Sequence, residues 1–317
     1  MQTALLLDPL YKKHDTGHGH PERADRYDAV TLALSHSGLL DRMPRIQPRV
    51  ATDDELALVH GRAYIELARK EILEGAEELS TGDTTVCKNS LDVALRAVGG
   101  VLNAVDRVFE RNGDCHNAFC AVRPPGHHAS PNRGMGFCIF NNVAVAAKYA
   151  QKKHGAERVL IADWDVHHGN GTQDAFYRDG SVLFFSTHQA PWYPGTGDSS
   201  ERGDGKAEGK IINRPFAADA GRQEVFGAFH EDLQKAASEF KPDLVLISAG
   251  FDSRAGDPLG RFRLTDDDFR DLTHVMLTIA EKYAGGRLVS LLEGGYSLNG
   301  LAAGVKAHVQ ELVGLAL

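Results

Sequence analysis

Six apolar runs along the chain have the length and composition of buried β-strands. They are residues 4–8 (ALLLD), 118–122 (AFCAV), 158–163 (RVLIAD), 181–186 (SVLFFS), 243–249 (DLVLISA) and 287–292 (RLVSLL). Most of these runs are continuously apolar and do not alternate with polar residues. Continuous runs are typical of parallel sheets that helices cover on both faces. The pattern therefore predicts a buried, mainly parallel sheet.

Between these runs, apolar residues recur with the spacing of amphipathic helices. The clearest example is the segment from Leu91 to Phe109. The sequences TDDE (52–55) and TDDD (265–268) place acidic residues directly after a threonine, as at helix N-termini, and the first has the form of a capping box. Alternating strands and helices predict an α/β fold with a doubly wound sheet flanked by helices.

The length of 317 residues suits one large domain or two ordinary ones. Because the chain has no internal repeat and no linker-like segment, we expect residues 1–317 to form a single domain. Two long segments rich in glycine and proline, 123–136 and 187–209, are predicted loops. Long loops in a compact α/β domain are more often functional than accidental.

Charge and cysteine content narrow the classes of protein. The net charge of −8 and the pI of about 6.0 give no basic surface for nucleic acid or an anionic membrane, so we expect neither partner. The four cysteines form no CxxC pair, which argues against a thiolate zinc site and fits a reducing compartment. The opening MQTALLLDPLYKKHD resembles neither a signal peptide nor a membrane span, so we expect a cytoplasmic protein.

Polar side chains follow five of the predicted strands. The segments after them are RPPGHH (123–128), DWDVHH (163–168), STH (186–188), FD (251–252) and EGGY (293–296). Ligands bind beyond the carboxyl ends of the strands in open parallel sheets. We therefore expect an active site at that edge of the sheet.

Asp165, His167 and Asp252 form a plausible metal-binding set of two carboxylates and one imidazole. Three protein ligands leave one position open for water or substrate, as in catalytic metal sites. Zn²⁺ is the expected ion, although oxygen-rich sets also accept Fe²⁺ or Mn²⁺. Such an ion polarises a carbonyl and lowers the pKa of a coordinated water.

The remaining strand-end residues suggest acid–base chemistry. His127 and His128 follow a rigid RPPG turn and could act as general base and general acid near the metal. Tyr296 could donate its hydroxyl to an oxyanion, while Gly294 and Gly295 allow the backbone to approach closely. These parts together indicate metal-assisted hydrolysis of an amide.

Six motifs along the chain occur together in one known family. They are RPPGHHA (123–129), GMGFCIFNNVAVAA (134–147), DWDVHHGNGTQ (163–173), PGTGD (194–198), SAGFDSRAGDPLG (248–260) and LEGGY (292–296). With these motifs the chain resembles the class II type of histone deacetylase, with its bacterial amidohydrolase relatives, which have the arginase/deacetylase fold. The resemblance implies a zinc-dependent enzyme that removes acetyl or other acyl groups from acyl-lysine or related N-acyl amines. It also implies that Asp165, His167 and Asp252 bind the zinc.

The resemblance also assigns supporting residues to the histidine pair. It places Asp163 behind His127 and Asn170 behind His128. A carboxylate neighbour favours imidazolium, so His127 should have the higher pKa. A neutral amide leaves His128 as the free base that accepts and returns a proton.

Further positions are carried over from the family by motif. Potassium is expected beside Asp163, Asp165, His167, Ser186 and Thr187, with a second potassium site at Phe176, Asp179 and Val182. Substrate-binding residues would be Gly136, Phe137, Tyr193, Leu259, Gly295 and the rim carboxylate Asp83. Arg23 matches an arginine of the acetate-release channel. No role is assigned to His168.

Several alternatives stay open at this point. The substrate could be an acetylpolyamine or another small N-acyl amine, although Leu259 stands where polyamine-preferring relatives place an acidic residue. A binuclear manganese hydrolase is disfavoured because the strand-end motif supplies one aspartate, Asp252. A catalytically dead acyl-lysine-binding module is disfavoured by Tyr296. The acyl-chain range, the physiological substrate and a homo-oligomeric state are left open.

Overall fold

A seven-stranded parallel sheet forms the centre of the molecule. The structure, a computed structural model, describes residues 2–110 and 113–314. The strands are β1 Gln2–Leu6, β2 Cys115–Cys120, β3 Val159–Asp163, β4 Val182–Gln189, β5 Ile211–Phe216, β6 Leu244–Ala249 and β7 Leu288–Leu292. Their order in the sheet is β1-β2-β7-β6-β3-β4-β5, and every neighbouring pair is parallel. The predicted parallel sheet is confirmed, and each of the six predicted strands overlaps an observed one.

The edge strand β5 is the one strand in the described residues that the sequence analysis did not predict. Four of its six side chains are only half-buried, and Pro215 lies near its end. Partial burial removes the continuous apolar run that marks the central strands. Proline is tolerated here because an edge strand pairs on one side only.

Ten α-helices flank the sheet in the described residues. They are α1 Ala24–His36, α2 Asp53–Leu56, α3 Arg62–Leu73, α4 Ser90–Phe109, α5 Asn142–Tyr149, α6 Asn170–Phe176, α7 Arg222–Ala228, α8 Gln234–Phe240, α9 Asp266–Ala284 and α10 Leu298–Val313. Turns of π-helix extend α5 through Ala150–His154 and join α7 to α8 through Phe229–Leu233. No helix of the described residues is both long enough and apolar enough to span a membrane.

Each face of the sheet has its own hydrophobic core. In β3, Val159 and Ile161 pack into one cluster with helices α3, α4 and α5, whereas Leu160 and Ala162 pack into the other with α1, α9 and α10. Successive side chains of a strand point to opposite faces, so a continuous apolar run fills both cores. This arrangement explains the sequence pattern of the central strands and keeps polar residues at their ends.

Capping side chains begin the helices that the sequence marked. Thr52 and Glu55 form a capping box at α2, and Thr265 and Asp268 form another at α9. The prediction of a single domain over residues 1–317 includes residues 1, 111, 112 and 315–317, which lie outside the described residues.

Candidate active site

The five strands that end in polar segments are neighbours in the sheet. They are β2, β7, β6, β3 and β4, in that spatial order. Because all five are parallel, the segments that follow them meet at one edge of the sheet. The chemistry-bearing residues therefore share one edge although up to 173 positions separate them in sequence, from Arg123 to Tyr296.

A buried cluster of metal-binding type lies at this edge. Ligand atoms of Asp165, His167 and Asp252 all lie within 4.8 Å of one another, and all three residues are buried. The Nδ1 atom of His167 lies 3.0 Å from Oδ1 of Asp165 and 3.2 Å from Oδ2 of Asp252. Within residues 2–110 and 113–314 this is the one group of three or more potential ligands that meets this geometry.

The surroundings of this cluster fit a bound cation. The Oδ2 atom of Asp252 is buried, and its neighbour Nδ1 of His167 is hydrogen-bonded to Asp165 instead, so this oxygen accepts no hydrogen bond from any described residue. Gly250 and Gly294 lie directly against the carboxylates, and a β-carbon at either position would collide with Oδ2 of Asp165 or of Asp252. An unpaired buried carboxylate oxygen is unfavourable unless a cation or donor compensates it. Two carboxylates and one imidazole are ligands that zinc accepts.

The pKa values of the cluster show the same unbalanced charge. Burial raises the pKa of Asp252 to about 7, with a further contribution from the neighbouring Asp165 carboxylate. Burial acts against the charged form of His167, but its contacts with Asp165 and Asp252 outweigh burial and raise its pKa to about 10. A divalent cation between these groups would compensate both carboxylates at once.

His127 and His128 lie side by side above the cluster, with ring centroids 4.0 Å apart. The Nδ1 atom of His127 lies 2.9 Å from Oδ2 of Asp163, and Nδ1 of His128 lies 2.8 Å from Oδ1 of Asn170. The amide oxygen can only accept, so Nδ1 of His128 donates and its Nε2 is the free acceptor. The two histidines therefore have different partners, one charged and one neutral.

This difference separates the pKa values of the two rings. Burial lowers the pKa of both, but the carboxylates of Asp163 and Asp165 reverse the effect and raise that of His127 well above its usual value. For His128, the charges of His127 and His167 add to burial and lower the pKa well below the usual value. His127 is therefore the imidazolium of the pair and His128 the neutral base, in the direction that the sequence analysis expects.

An open pocket of about 240 Å³ leads from the surface to this edge. Its lining residues are Asp83, His128, Gly136, Phe137, His167, Trp192, Tyr193, Leu259 and Tyr296. The rings of Phe137 and Tyr193 lie near the polar base, 6.0 Å from the Tyr296 ring and 5.2 Å from the His128 ring respectively. The pocket thus has largely apolar walls and a polar base, a form suited to an aliphatic chain that carries an amide.

Asp83 ties the two walls of the pocket together. Its Oδ1 atom accepts hydrogen bonds from the backbone N–H of Gly136, at 2.7 Å, and from the hydroxyl of Tyr193, at 3.2 Å. Both Gly136 and Phe137 have left-handed backbone, with φ of 58° and 67°. Asp83 accordingly lies at the rim, as the motif suggested, and its contacts fix the loop that carries Phe137.

Tyr296 lies at the base of the pocket on the segment after β7. Its backbone N–H donates to Oδ2 of Asp257 at 2.7 Å, which fixes the chain at this point. The hydroxyl makes no hydrogen bond with any described residue, so it can donate to a bound ligand. Burial raises the pKa of Tyr296 well above its usual value, and its hydroxyl therefore keeps its proton. Gly295 precedes it with a φ of 121°, a conformation that favours glycine.

The residues expected at the first potassium site lie at the ends of β3 and β4. Ser186 and Thr187 are fully buried, and the Thr187 Oγ1 atom has no hydrogen-bond partner in the described part of the chain. The Ser186 hydroxyl lies 2.9 Å from Nδ1 of His188.

The second expected site surrounds the turn after α6. The backbone N–H of Asp179 donates to the carbonyl of Phe176 at 3.0 Å, and that of Val182 to the carbonyl of Asp179 at 3.3 Å. The Asp179 side chain pairs with Lys148. A cation at this site would therefore depend on backbone oxygens.

The structure places Arg23 at the surface. Its side chain is 44% exposed and pairs with Asp25 at the start of α1. The buried arginine is Arg26, one helical turn further on, whose guanidinium lies 5.0 Å from the Tyr296 ring centroid. The sequence HPERADRY (20–27) contains both arginines, and only the start of α1 decides which one points inward.

Sequence reasoning missed two residues that contact the site. Trp192 lines the pocket, and its indole N–H donates to the carbonyl of Leu259 at 2.8 Å. Glu293 is buried directly behind His127 and accepts a hydrogen bond from its backbone N–H. Trp192 stands two residues before the PGTGD motif and Glu293 stands inside LEGGY, but neither motif indicates which way these side chains point.

His168 fastens the loop that carries the aromatic wall. Its Nδ1 atom lies 2.8 Å from the Thr196 hydroxyl, and its Nε2 atom 3.1 Å from Oε1 of Gln173. Gly197 packs so closely on the rings of His168 and His188 that a β-carbon there would collide with both. His168 is therefore a packing residue with fully used ring nitrogens.

Comparison with known proteins agrees with this site. Residues 20–312 match the histone deacetylase domain family. The crystal structure of the HDA15 HD domain superimposes with a TM-score of 0.93 at 37% identity, over 99% of this chain and 90% of that one. The chain therefore belongs to the histone deacetylase family, whose fold it shares.

Individual relatives come from different branches of life. A probable deacetylase of Archaeoglobus fulgidus is 39% identical over 302 residues, which is 95% of this chain and 83% of the relative. Histone deacetylase 6 of Caenorhabditis elegans is 43% identical over 307 residues, 92% of this chain. This chain spans only 32% of that longer protein. Human polyamine deacetylase HDAC10 is 40% identical over 304 residues, 92% of this chain and 44% of the relative.

Proposed function

We propose that this protein is a zinc-dependent deacetylase that hydrolyses N-acyl amines, with acyl-lysine as the preferred substrate class. The observation that carries the proposal is the Asp165, His167 and Asp252 cluster, with its uncompensated carboxylate oxygen, at the base of an open apolar pocket. Membership of the histone deacetylase family supports the same reaction.

Asp165, His167 and Asp252 would hold the ion. When bound, zinc would supply Lewis-acid polarisation of the amide carbonyl and acidification of the attacking water. The family resemblance adds structural potassium at Ser186 and Thr187, where the unpartnered Thr187 hydroxyl fits a cation, and at Phe176, Asp179 and Val182.

His128 is the base in this proposal. Its lowered pKa leaves Nε2 unprotonated at neutral pH, and the Nδ1 contact with Asn170 directs Nε2 towards the pocket. It takes the proton of the attacking water and passes it to the leaving amine. His127 remains protonated against Asp163 and stabilises the negative charge that develops in the transition state.

Tyr296 and the walls position the substrate. The Tyr296 hydroxyl keeps its proton and donates it in a hydrogen bond to the developing oxyanion. Phe137, Tyr193 and Leu259 would enclose the aliphatic chain, and Gly136 lines the same pocket. The family resemblance adds Gly295, whose α-carbon lies against Leu301 and Phe251. Asp83 at the rim would accept an N–H group of the substrate with its second oxygen.

Metal analysis combined with activity tests this proposal. The purified protein should contain about one zinc per chain, and removal by a chelator should abolish release of acetate from an acetyl-lysine peptide. Adding zinc back should restore activity. Iron in place of zinc would change the ion but keep the ligands, whereas two manganese ions or no metal would contradict the proposal.

An acetylpolyamine is the second candidate substrate. The name of the human relative and the carboxylate of Asp83 at the pocket mouth favour it. Leu259, which is apolar at the same mouth, favours acyl-lysine. Rates on an acetyl-lysine peptide and on acetylated spermidine at matched concentrations decide between them. A preference for the polyamine would change the substrate class and leave the chemistry intact.

A further inference from the structure

Glu293 is a buried carboxylate that the proposed reaction does not use. It directly follows β7, and its side chain is fully buried. Burial raises its pKa to about 7, although the charge of His127 acts in the opposite direction. A buried carboxyl group needs partners, and those of Glu293 lie on a different strand end.

The side chain of Glu293 binds the turn that carries the two histidines. Its Oε2 atom accepts hydrogen bonds from the backbone N–H groups of Gly126, at 2.6 Å, and His127, at 3.2 Å. Its Oε1 atom accepts one from the Ser248 hydroxyl, at 3.2 Å, at the end of β6. Glu293 thus joins the ends of β2, β6 and β7.

This turn also packs closely against the start of α5. A β-carbon on Gly126 would lie 2.6 Å from the backbone nitrogen of Asn142. The side-chain amide of Asn142 in turn donates to the carbonyl of Pro124 at 3.2 Å. The N–H groups of Gly126 and His127 both donate to Oε2 of Glu293, so the position of this oxygen determines how far the turn lies from the end of β7.

The backbone of the same residue belongs to the segment that carries Tyr296. Arg26 donates to the carbonyls of Glu293 and Gly295, at 2.5 Å and 2.7 Å, and so fixes that segment. A single residue consequently connects the proposed oxyanion donor to the proposed base and its protonated neighbour.

We propose that Glu293 is a positioning residue that holds the His127–His128 turn in register with Tyr296 through the length of its side chain. This inference rests on the proposed function, since it assigns a partner to residues of that reaction. Displacement of a reacting group by about 1 Å can lower a rate by about 100-fold.

Two substitutions separate side-chain length from charge. Glu293→Gln keeps the length and an acceptor oxygen for both N–H groups but removes the charge. Glu293→Asp keeps the charge but withdraws the oxygen by about one bond length. We expect kcat within about threefold of the parent for Glu293→Gln, and a fall of about 10- to 100-fold for Glu293→Asp. KM and zinc content should be unchanged in both.

Glu55→Asp is the matched control. Glu55 also accepts a backbone N–H, that of Thr52 at 2.8 Å, but in the capping box of α2. Shortening it should lower the unfolding midpoint without changing kcat. If Glu293→Asp does not fold, Ser248→Ala provides a milder variant, since it frees Oε1 and should lower kcat with KM constant.

The outcomes distinguish the two proposals. Given an active parent enzyme, two results overturn the positioning role. In the first, Glu293→Asp has the kcat of the parent. In the second, Glu293→Gln loses activity while Glu293→Asp retains it. A parallel rise of KM, or loss of zinc, in Glu293→Asp would also overturn it. A zinc-loaded parent without hydrolysis of any acyl amine overturns the proposed function itself.

Discussion

Two buried charged clusters lie close together beneath the pocket, and they differ in completeness. One surrounds Glu22, whose carboxylate accepts hydrogen bonds from Arg26 and Arg123 at 2.5 to 3.0 Å. The remaining donors of these arginines reach backbone carbonyls, including those of Tyr11 and Gly295. Both oxygens of Glu22 and every guanidinium nitrogen of Arg26 and Arg123 therefore have a hydrogen-bond partner.

In the other cluster, Asp165, His167 and Asp252, one imidazole nitrogen lies between two acids. It is hydrogen-bonded to Oδ1 of Asp165, which leaves Oδ2 of Asp252, 3.2 Å away, without a hydrogen bond from any described residue. Buried charges with complete partners support the fold, whereas incomplete ones indicate a place for an ion. The contrast predicts that substitutions in one cluster act on stability and in the other on activity.

Asp252→Ala should have the largest effect of all. Loss of one of three ligands should remove the metal and lower kcat/KM by about 10³-fold or more, several kcal/mol of transition-state stabilisation. The metal-free variant should unfold no more easily than the metal-free parent, because the substitution also removes repulsion from Asp165. Zinc analysis and thermal unfolding check both. If the metal-free Asp252→Ala variant were much less stable than the metal-free parent, this cluster would act on stability as well, and the contrast with the Glu22 cluster would be contradicted.

Glu22→Ala should act on stability instead. Removing the shared partner leaves two buried arginines uncompensated, so the free energy of unfolding should fall by about 3–5 kcal/mol. Denaturant unfolding measures this fall. Asp54→Ala, which breaks a surface pair with Arg62, serves as a control with little expected effect. Equal losses in the two variants would contradict the role of burial.

The Glu22 cluster should also respond to acid. Although burial alone would raise it, Arg123 and Arg26 lower the pKa of Glu22 below its usual range. The ionised form therefore stabilises the fold at pH values above the ordinary glutamate pKa of about 4.3, and this contribution is lost as the pH falls below it. Glu22→Gln should flatten the fall in stability between about pH 4 and 2. An unchanged acid profile would argue against the lowered pKa.

Tyr296→Phe tests a group that belongs to neither cluster. Loss of the oxyanion donor should lower kcat by about 10²-fold while zinc content and the unfolding midpoint stay as in the parent. Tyr283→Phe, at a partly exposed tyrosine of α9, is the matched control. Full activity in Tyr296→Phe would remove the hydroxyl from the mechanism.

The smallest expected effect concerns the loop above His168. Thr196→Val removes the hydroxyl that contacts His168 while keeping the side-chain shape, so the Tyr193 wall should loosen and KM rise by a few-fold, about 1 kcal/mol. Thr196→Ser keeps the hydroxyl and should behave as the parent. Steady-state kinetics on an acetyl-lysine peptide measure both.

The sequence predicted the sheet well because its central strands are buried on both faces. Val159 to Ala162 are apolar at every position for that reason, whereas β5 is partly exposed and was missed. The metal-binding cluster followed from parallel strands whose ends meet at one edge. The sequence did not reveal that Arg26 is buried and Arg23 exposed, because that depends on where α1 begins. The contacts of Glu293 depend on packing between three strand ends, which no local pattern records.

The glycines beside the carboxylates have a consequence for judging relatives of this protein. Gly250 and Gly294 lie directly against the carboxylates of Asp165 and Asp252, and a single methyl group at either position would collide with a ligand oxygen. A descendant could therefore lose its metal while every ligand stays in place. Intact Asp165, His167 and Asp252 positions do not by themselves identify an active enzyme. Glycine at positions 250 and 294 should therefore be checked together with the three ligand positions.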